Sequence, residues 1–376
     1  MKKQLMPFVA FCLCSAAAAP DPNSMVWTPT TLGQLAAWID AAPKEGLCLS
    51  DDPSFGHALA ADNSVLVNQI ATSQALKLGR LHLLGCATPA QRRGWNIATN
   101  DAQIDMEALL ATALAQGDVN PFFRALRPKT PDYEALRLAY GIETNPRQRT
   151  ILARNMDRWR WLPLNLGARY LLVNIPGFEV SLRENEQIVE RWRVIVGKPT
   201  TPTPIFEAEV TGVTVNPWWN VPQSIVTESV GRLVRINPQE ARRRGYVWSN
   251  GSYRQRPGST NSLGRIKLAM PNHYDVYLHD TPNKALFNMQ VRAFSHGCMR
   301  VGNALGFASR LLGRPVDRLV ESGLTATLPL PAPIPVYVTY FTADMSEGDV
   351  IEYHPDIYGR DKRMGDSFNP GMDCPG

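Results

Sequence analysis

The stretch Phe294-Ser295-His296-Gly297-Cys298-Met299-Arg300 decides how this 376-residue chain is read. A thiol is a weak nucleophile until it loses its proton, and an imidazole within reach can take that proton. Gly297 lets the backbone turn tightly, so that consecutive amide N–H groups converge on one point and can stabilise an oxyanion. A second histidine lies 19 residues before Cys298, in Val276-Tyr277-Leu278-His279-Asp280-Thr281-Pro282. That segment reads as a strand ending in a turn. Strand side chains alternate, so Tyr277 and His279 share one face and Asp280 points the other way. The competing reading is a zinc site of His279, His296 and Cys298. It lacks Cys-x-x-Cys or His-x-x-x-His spacing, and no carboxylate is placed to complete it, so no metal is expected.

Around this pair the pattern is that of strands. Tyr170-Leu171-Leu172-Val173-Asn174-Ile175, Phe178-Glu179-Val180-Ser181-Leu182 and Trp192-Arg193-Val194-Ile195-Val196 are short and rich in β-branched and aromatic residues. Pro176-Gly177 and Glu184-Asn185 separate them as turns, which predicts antiparallel pairing, and residues 205–215 and 336–341 continue the sheet. Between those, residues 224–245 read as helix and 249–264 as a polar, glycine-rich stretch. Such an insertion in a sheet domain is expected to be a lid or binding loop.

From about residue 30 to 141 the apolar spacing is helical: Leu32, Leu35 and Ile39 on one segment, Val65, Leu66 and Ile70 on the next, Met106, Leu109, Leu110 and Leu114 on a third. Asn120-Pro121 and Lys129-Thr130-Pro131 break the pattern. The expected class is α+β: a helical scaffold domain over 25–148, then a β-rich catalytic domain over 150–345 with its insertion at about 217–264. Residues 346–376 form a C-terminal extension.

Lys2 and Lys3 precede an apolar run that ends in Ser15-Ala16-Ala17-Ala18-Ala19. This reads as a secretory signal peptide over residues 1–19, too short to span a bilayer. Phe11 and Leu13 stand before Cys12 and Cys14 where a lipobox needs a small residue, which argues against a lipid anchor. Removal of the two lysines lowers the formal charge from +5 to +3, too little to argue for nucleic acid. No later segment is a candidate membrane span. Export leaves Cys48, Cys86, Cys298 and Cys374 in an oxidising compartment. With Cys298 read as a free thiol, Cys48 with Cys86 is the expected bridge and Cys374 is left over.

Ser295-His296-Gly297-Cys298-Met299-Arg300, with His279 upstream, resembles the signature of the L,D-transpeptidase catalytic domain, the YkuD fold. Asn155-Met156-Asp157-Arg158-Trp159-Arg160-Trp161-Leu162-Pro163, Val194-Ile195-Val196-Gly197-Lys198-Pro199, Asn216-Pro217-Trp218-Trp219-Asn220-Val221-Pro222 and Tyr277-Leu278-His279-Asp280-Thr281-Pro282 resemble the large periplasmic YcbB-like branch. The likeness runs from about residue 150 to 360, and more loosely over the first 150 residues to that branch's helical scaffold. It implies Cys298 as nucleophile, His279 as base and the Asp280 backbone carbonyl as third member of the triad. It further implies an oxyanion hole from the N–H groups of His296, Gly297 and Cys298, and substrate contacts from Trp219, Tyr277, Arg300, Asn220 and Ser295.

The implied reaction is peptidoglycan cross-linking in the periplasm, with stem peptides as donor and acceptor. It needs no cofactor, and carbapenems are the implied inhibitors. The motif does not distinguish transfer from hydrolysis by an L,D-carboxypeptidase or amidase, and a non-catalytic wall-binding protein is the remaining alternative. Nor does it set whether two diaminopimelates are joined, or L-alanine to diaminopimelate. One departure stands out: Leu136-Arg137-Leu138-Ala139-Tyr140-Gly141 leads almost directly into Asn155, leaving no room for the small peptidoglycan-binding module common in that branch.

Overall fold

A computed structural model describes residues 25–49, 55–57, 64–98, 104–346, 348 and 350–365. The expected signal peptide, Cys374 and the last part of the expected C-terminal extension, from residue 366 on, lie outside the described residues. No helix among those described is long and apolar enough to cross a membrane.

Four helices build the first core: α1 (Pro29–Ala41), α2 (Ser64–Leu84), α3 (Met106–Ala115) and α4 (Asn120–Leu126). Local chemistry sets their starts. The Thr28 hydroxyl accepts from the Thr31 amide while the Thr31 hydroxyl accepts from Thr28, a reciprocal cap ahead of Pro29. Asp105 accepts from the Ala108 amide to open α3. Leu35, Ala71, Ala75, Leu78, Leu110, Phe122 and Phe123 fill the space between them. Val65 and Leu66, expected on the buried face, are exposed. In α2 the burial starts later, at Ala71, because small alanines let the neighbouring helices approach where the bulkier early residues do not.

Helices α5 (Pro131–Ile142) and α6 (Pro146–Arg160) follow, each opened by a capping side chain and a proline. Their Tyr133, Leu136, Tyr140, Leu152, Met156 and Trp159 belong to the core of the β-rich unit. Ala87 and Ile97, from between α2 and α3, join the same core. Only three residues join α5 to α6, so no module is inserted there.

The end of α6 locks the two cores together. Arg160 is fully buried and donates to the Asp157 carboxylate, the Glu45 carbonyl and the Tyr133 hydroxyl, each at 2.8 Å. The other Asp157 oxygen accepts the amides of Cys86 and Ala87, and the Trp161 indole donates to the Leu84 carbonyl. Cys48 and Cys86 also meet here, the Cys48 amide donating to the Cys86 sulfur at 2.7 Å. The bridge expected between them is not formed.

The β-rich unit contains β1 (Trp95–Asn96), β2 (Arg169–Asn174), β3 (Glu179–Glu184), β4 (Gln187–Gly197), β5 (Ile205–Val215), β6 (Trp219–Asn220), β7 (Tyr246–Ser249), β8 (Ser252–Gln255), β9 (Ile266–Ala269), β10 (Leu278–His279), β11 (Ala293–Ser295), β12 (Met299–Val301) and β13 (Ala326–Thr339). Its main sheet runs β5-β13-β2-β3-β4-β12-β10-β9, and β9 pairs back onto β5, so the sheet closes on itself. The sequence predicts antiparallel pairing throughout. The β2–β3–β4 meander obeys this, but β13–β2, β10–β12, β11–β4 and β1–β5 are parallel. Parallel partners need long connections, and such distant pairings leave no trace in local periodicity. A register shift in β13 between Pro329 and Ile334 absorbs the proline run, whose missing N–H groups cannot serve a ladder.

The insertion leaves the sheet after β5. A helical run over 223–236, the short helix Pro238–Arg243 and the hairpin β7–β8 pack on a small core of Trp219, Val221, Val230 and Leu263. The hairpin replaces the irregular stretch expected there. Two buried asparagines pin its neck. Asn216, held at φ +46°, donates to the carbonyls of Leu319, Val320 and Leu324, and Asn261 donates to Pro217 and Arg256.

Removing one partner of a buried ion pair strands the other, at a cost of about 3–5 kcal/mol. Asp157→Ala should lower the unfolding free energy by about that much in urea melts, since Arg160 and two amides lose their acceptor together. A loss under about 1 kcal/mol would show that the junction does not depend on this pair.

Candidate active site

Strand β10 is only two residues long, yet it is paired on both edges. His279 stands opposite Lys267 of β9 on one side and Arg300 of β12 on the other. Leu278 pairs Met299, which sets Tyr277 beside Cys298 at the start of β12, and the Met299 amide donates to the Tyr277 carbonyl at 3.0 Å. Ile266, Leu268, Leu278, Met299 and Val301 are buried in the core below. The pleat then sends Lys267, Tyr277, His279, Cys298 and Arg300 to the opposite face.

The His279 Nδ1–H donates to the Asp280 backbone carbonyl at 2.5 Å. A carbonyl can only accept, so the proton is on Nδ1 and Nε2 carries the free lone pair. The Asp280 side chain turns away, as alternation requires: it takes the Arg265 amide at 2.8 Å and the Lys284 ammonium. Burial, then the charges of Arg300 and Lys267, lower the His279 pKa to about 3, against the Asp280 and Leu263 carbonyls. The ring is therefore a neutral base at any ordinary pH.

Burial also pushes the Cys298 thiol up; hydrogen bonds from Tyr277 and the charges of Lys267 and Arg300 oppose it. The thiol donates to the Asp275 carbonyl at 3.7 Å, and no hydrogen bond joins it to His279. Cysteine and histidine thus share a face without a hydrogen bond between them. Tyr277 packs against the cluster that holds Trp219 and acts on the Cys298 thiol, so these expected groove residues lie beside the sulfur.

Gly297 has φ +115°, outside the range of residues with a side chain. Its N–H donates to the Ser295 hydroxyl at 3.1 Å and its carbonyl accepts from Thr203. Of the three amides expected to form an oxyanion hole, that of Gly297 is engaged by Ser295. Ser295, expected to touch substrate, is 2% exposed and shapes the loop. Asn220 is exposed on β6, opposite Arg254 and away from this chain of contacts.

Three groups escaped the sequence reading. The His296 ring meets the Glu228 carboxylate at 2.7 Å, and Lys198 reaches the same carboxylate at 3.3 Å. Those contacts hold the Glu228 carboxyl below its usual range and tie the insertion's helix to the catalytic loop. Glu228 sits in a π-turn over Val226–Val230, which no composition signal marks. Lys267 was legible in principle, since the alternation Ile266-Lys267-Leu268-Ala269 turns it outward beside the histidine.

Residues 168–323 match the family described as the L,D-transpeptidase catalytic domain, YkuD, and residues 21–139 match the Scaffold domain. A putative L,D-transpeptidase of Haemophilus influenzae is 30% identical over 240 residues, 57% of this chain and 48% of that protein. The chain thus spans about half the length of that curated relative. Among solved structures, the catalytic domain of an E. faecium L,D-transpeptidase acylated by ertapenem is 14% identical and covers 46% of this chain and 98% of that one, with a TM-score of 0.28. An L,D-transpeptidase from Mycobacterium smegmatis is 13% identical over 46% and 58%, with a TM-score of 0.27. Residues 168–323 are thus similar to a YkuD-type L,D-transpeptidase catalytic domain, and residues 21–139, ahead of them, to a Scaffold domain.

Proposed function

We propose that the chain cross-links peptidoglycan stem peptides in the periplasm through a thioester on Cys298. The observation that carries this reading is a neutral His279, its tautomer fixed by the Asp280 carbonyl, on the same sheet face as the thiol. Cys298 exchanges the Asp275 carbonyl for Nε2 of His279 and gives up its proton there. Sulfur bonds to the donor carbonyl carbon, and the oxyanion is met by the amides of Cys298 and His296. The C–N bond breaks and the imidazolium returns the proton to the leaving amine. Lying between two cations, it releases that proton readily. An acceptor amine then attacks the thioester, loses its proton to His279 and expels the thiolate. The insertion acts as a lid that excludes water, the acceptor that would turn transfer into hydrolysis. Carbapenems acylate the same sulfur.

Cys298→Ala should abolish cross-linking and the mass adduct of a carbapenem while leaving the melting temperature unchanged. Cys48→Ala should keep both activities; equal loss in the two variants would refute the assignment of the nucleophile.

His279→Gln should slow acylation by about 10²–10⁴-fold in stopped-flow measurements with a carbapenem, the usual loss on removing a general base. An unimpaired variant would mean that another group takes the proton.

The low pKa of His279 makes a separate forecast. Its ring should remain in the neutral Nδ1–H form at pH 5 by NMR, where a free histidine, with a pKa of about 6.5, is mostly protonated. Because the folded pKa of about 3 lies below the unfolded one, the unfolded state takes up the proton first. This group's contribution to stability is complete above about pH 6.5 and is lost as the pH falls towards 3. A ring protonated at pH 6 would overturn this account.

A further inference from the structure

We propose that Lys267 and Arg300 form a carboxylate-binding subsite beside Cys298, selecting donors whose leaving residue ends in a free α-carboxylate. The inference rests on the acyl-transfer reading above and assigns the specificity of its first step.

The two cations flank His279 from opposite strands. Both act on the sulfur through their charge. Lys267 is held in place by the Tyr277 ring, its Nζ lying 3.9 Å from the ring centroid. The buried Nε of Arg300 meets no acceptor. Neither side chain forms an ion pair among the described residues, and Asp275 acts on Lys267 through space only. Elsewhere three buried arginines are matched: Arg160 with Asp157, Arg158 with Asp361, Arg183 with Asp132. Half-buried cations without an anion are costly, and two of them beside the base also disfavour the imidazolium the reaction must form. An arriving anion relieves both costs.

The geometry also says which anion. A carboxylate on the leaving residue is two bonds beyond the scissile nitrogen, within about 4 Å of the attacked carbonyl. A group bound by residues on either side of the base must lie that close to the chemistry. The planar guanidinium takes carboxylate oxygens in a fork, and the ammonium adds a compact charge. When the leaving residue departs it carries the anion away, and the subsite is free before the acceptor amine enters.

Binding to Cys298→Ala, measured by calorimetry, tests this without any turnover. The probes are one stem tetrapeptide with a free C-terminal carboxylate and the same peptide as its carboxamide. The free acid should bind about ten- to hundredfold more tightly, the worth of a charge-assisted contact. Adding Lys267→Met should remove most of that preference without weakening the carboxamide, and Lys267→Arg should restore it. Equal binding of the two peptides, or a preference that survives Lys267→Met, overturns the proposal. Alkylation of Cys298 by iodoacetamide against pH, in the single variant Lys267→Met, checks the rival role. An alkaline shift of the profile with no change in peptide preference would place Lys267 in thiolate stabilisation instead. Acylation of the unsubstituted enzyme by the free acid is a separate reading: its failure would sink the transfer chemistry while the binding ratio still decides the subsite.

Discussion

Pairing of the two-residue strand β10 on both of its edges is the constraint on which the site depends. A strand this short cannot hold itself, and without β9 and β12 it would be a loop. Held between them, it fixes three things at once: the face His279 presents, the cation on each side of it, and the place of Cys298 next to Tyr277. The hydrogen bond from His279 to the carbonyl of the next residue then sets the ring's tautomer with no side chain spent on it. A register slip of one residue would turn the whole set into the core.

The electrostatics differ from those of a resting thiolate–imidazolium pair. Burial raises the thiol and lowers the imidazole, and the flanking cations push the imidazole further in the same direction. Both partners are thereby held in their neutral forms at rest. A neutral thiol reacts slowly with small oxidants.

Much of this was legible in the sequence. The Cys298 and His279 motifs, the outward turn of the Asp280 side chain, the scaffold helices and the meander β2–β4 follow from local residue patterns, which is the information a sequence carries most directly. What was not legible depends on distance along the chain. The parallel pairings and the closure of β9 on β5 join segments separated by whole elements. The engagement of the Gly297 amide by Ser295 depends on a side-chain rotamer. Exposure of Val65 and Leu66 follows from where the neighbouring helices happen to pass, although their spacing fits a buried stripe.

The insertion is attached at two places of unlike strength, and this difference shapes what it can do. Its neck is fixed by Asn216 and Asn261, each fully buried and satisfied by several carbonyls, so there the backbone has no freedom to hinge. Its helical face meets the catalytic loop through exposed groups, His296 and Lys198 on Glu228. Exposed ion pairs of this kind are worth little and are screened by salt. The contacts at the tip are therefore the weaker of the two attachments. Trp219, only three residues beyond Asn216, lies at the firmly held neck, and Tyr277 packs against the cluster it belongs to.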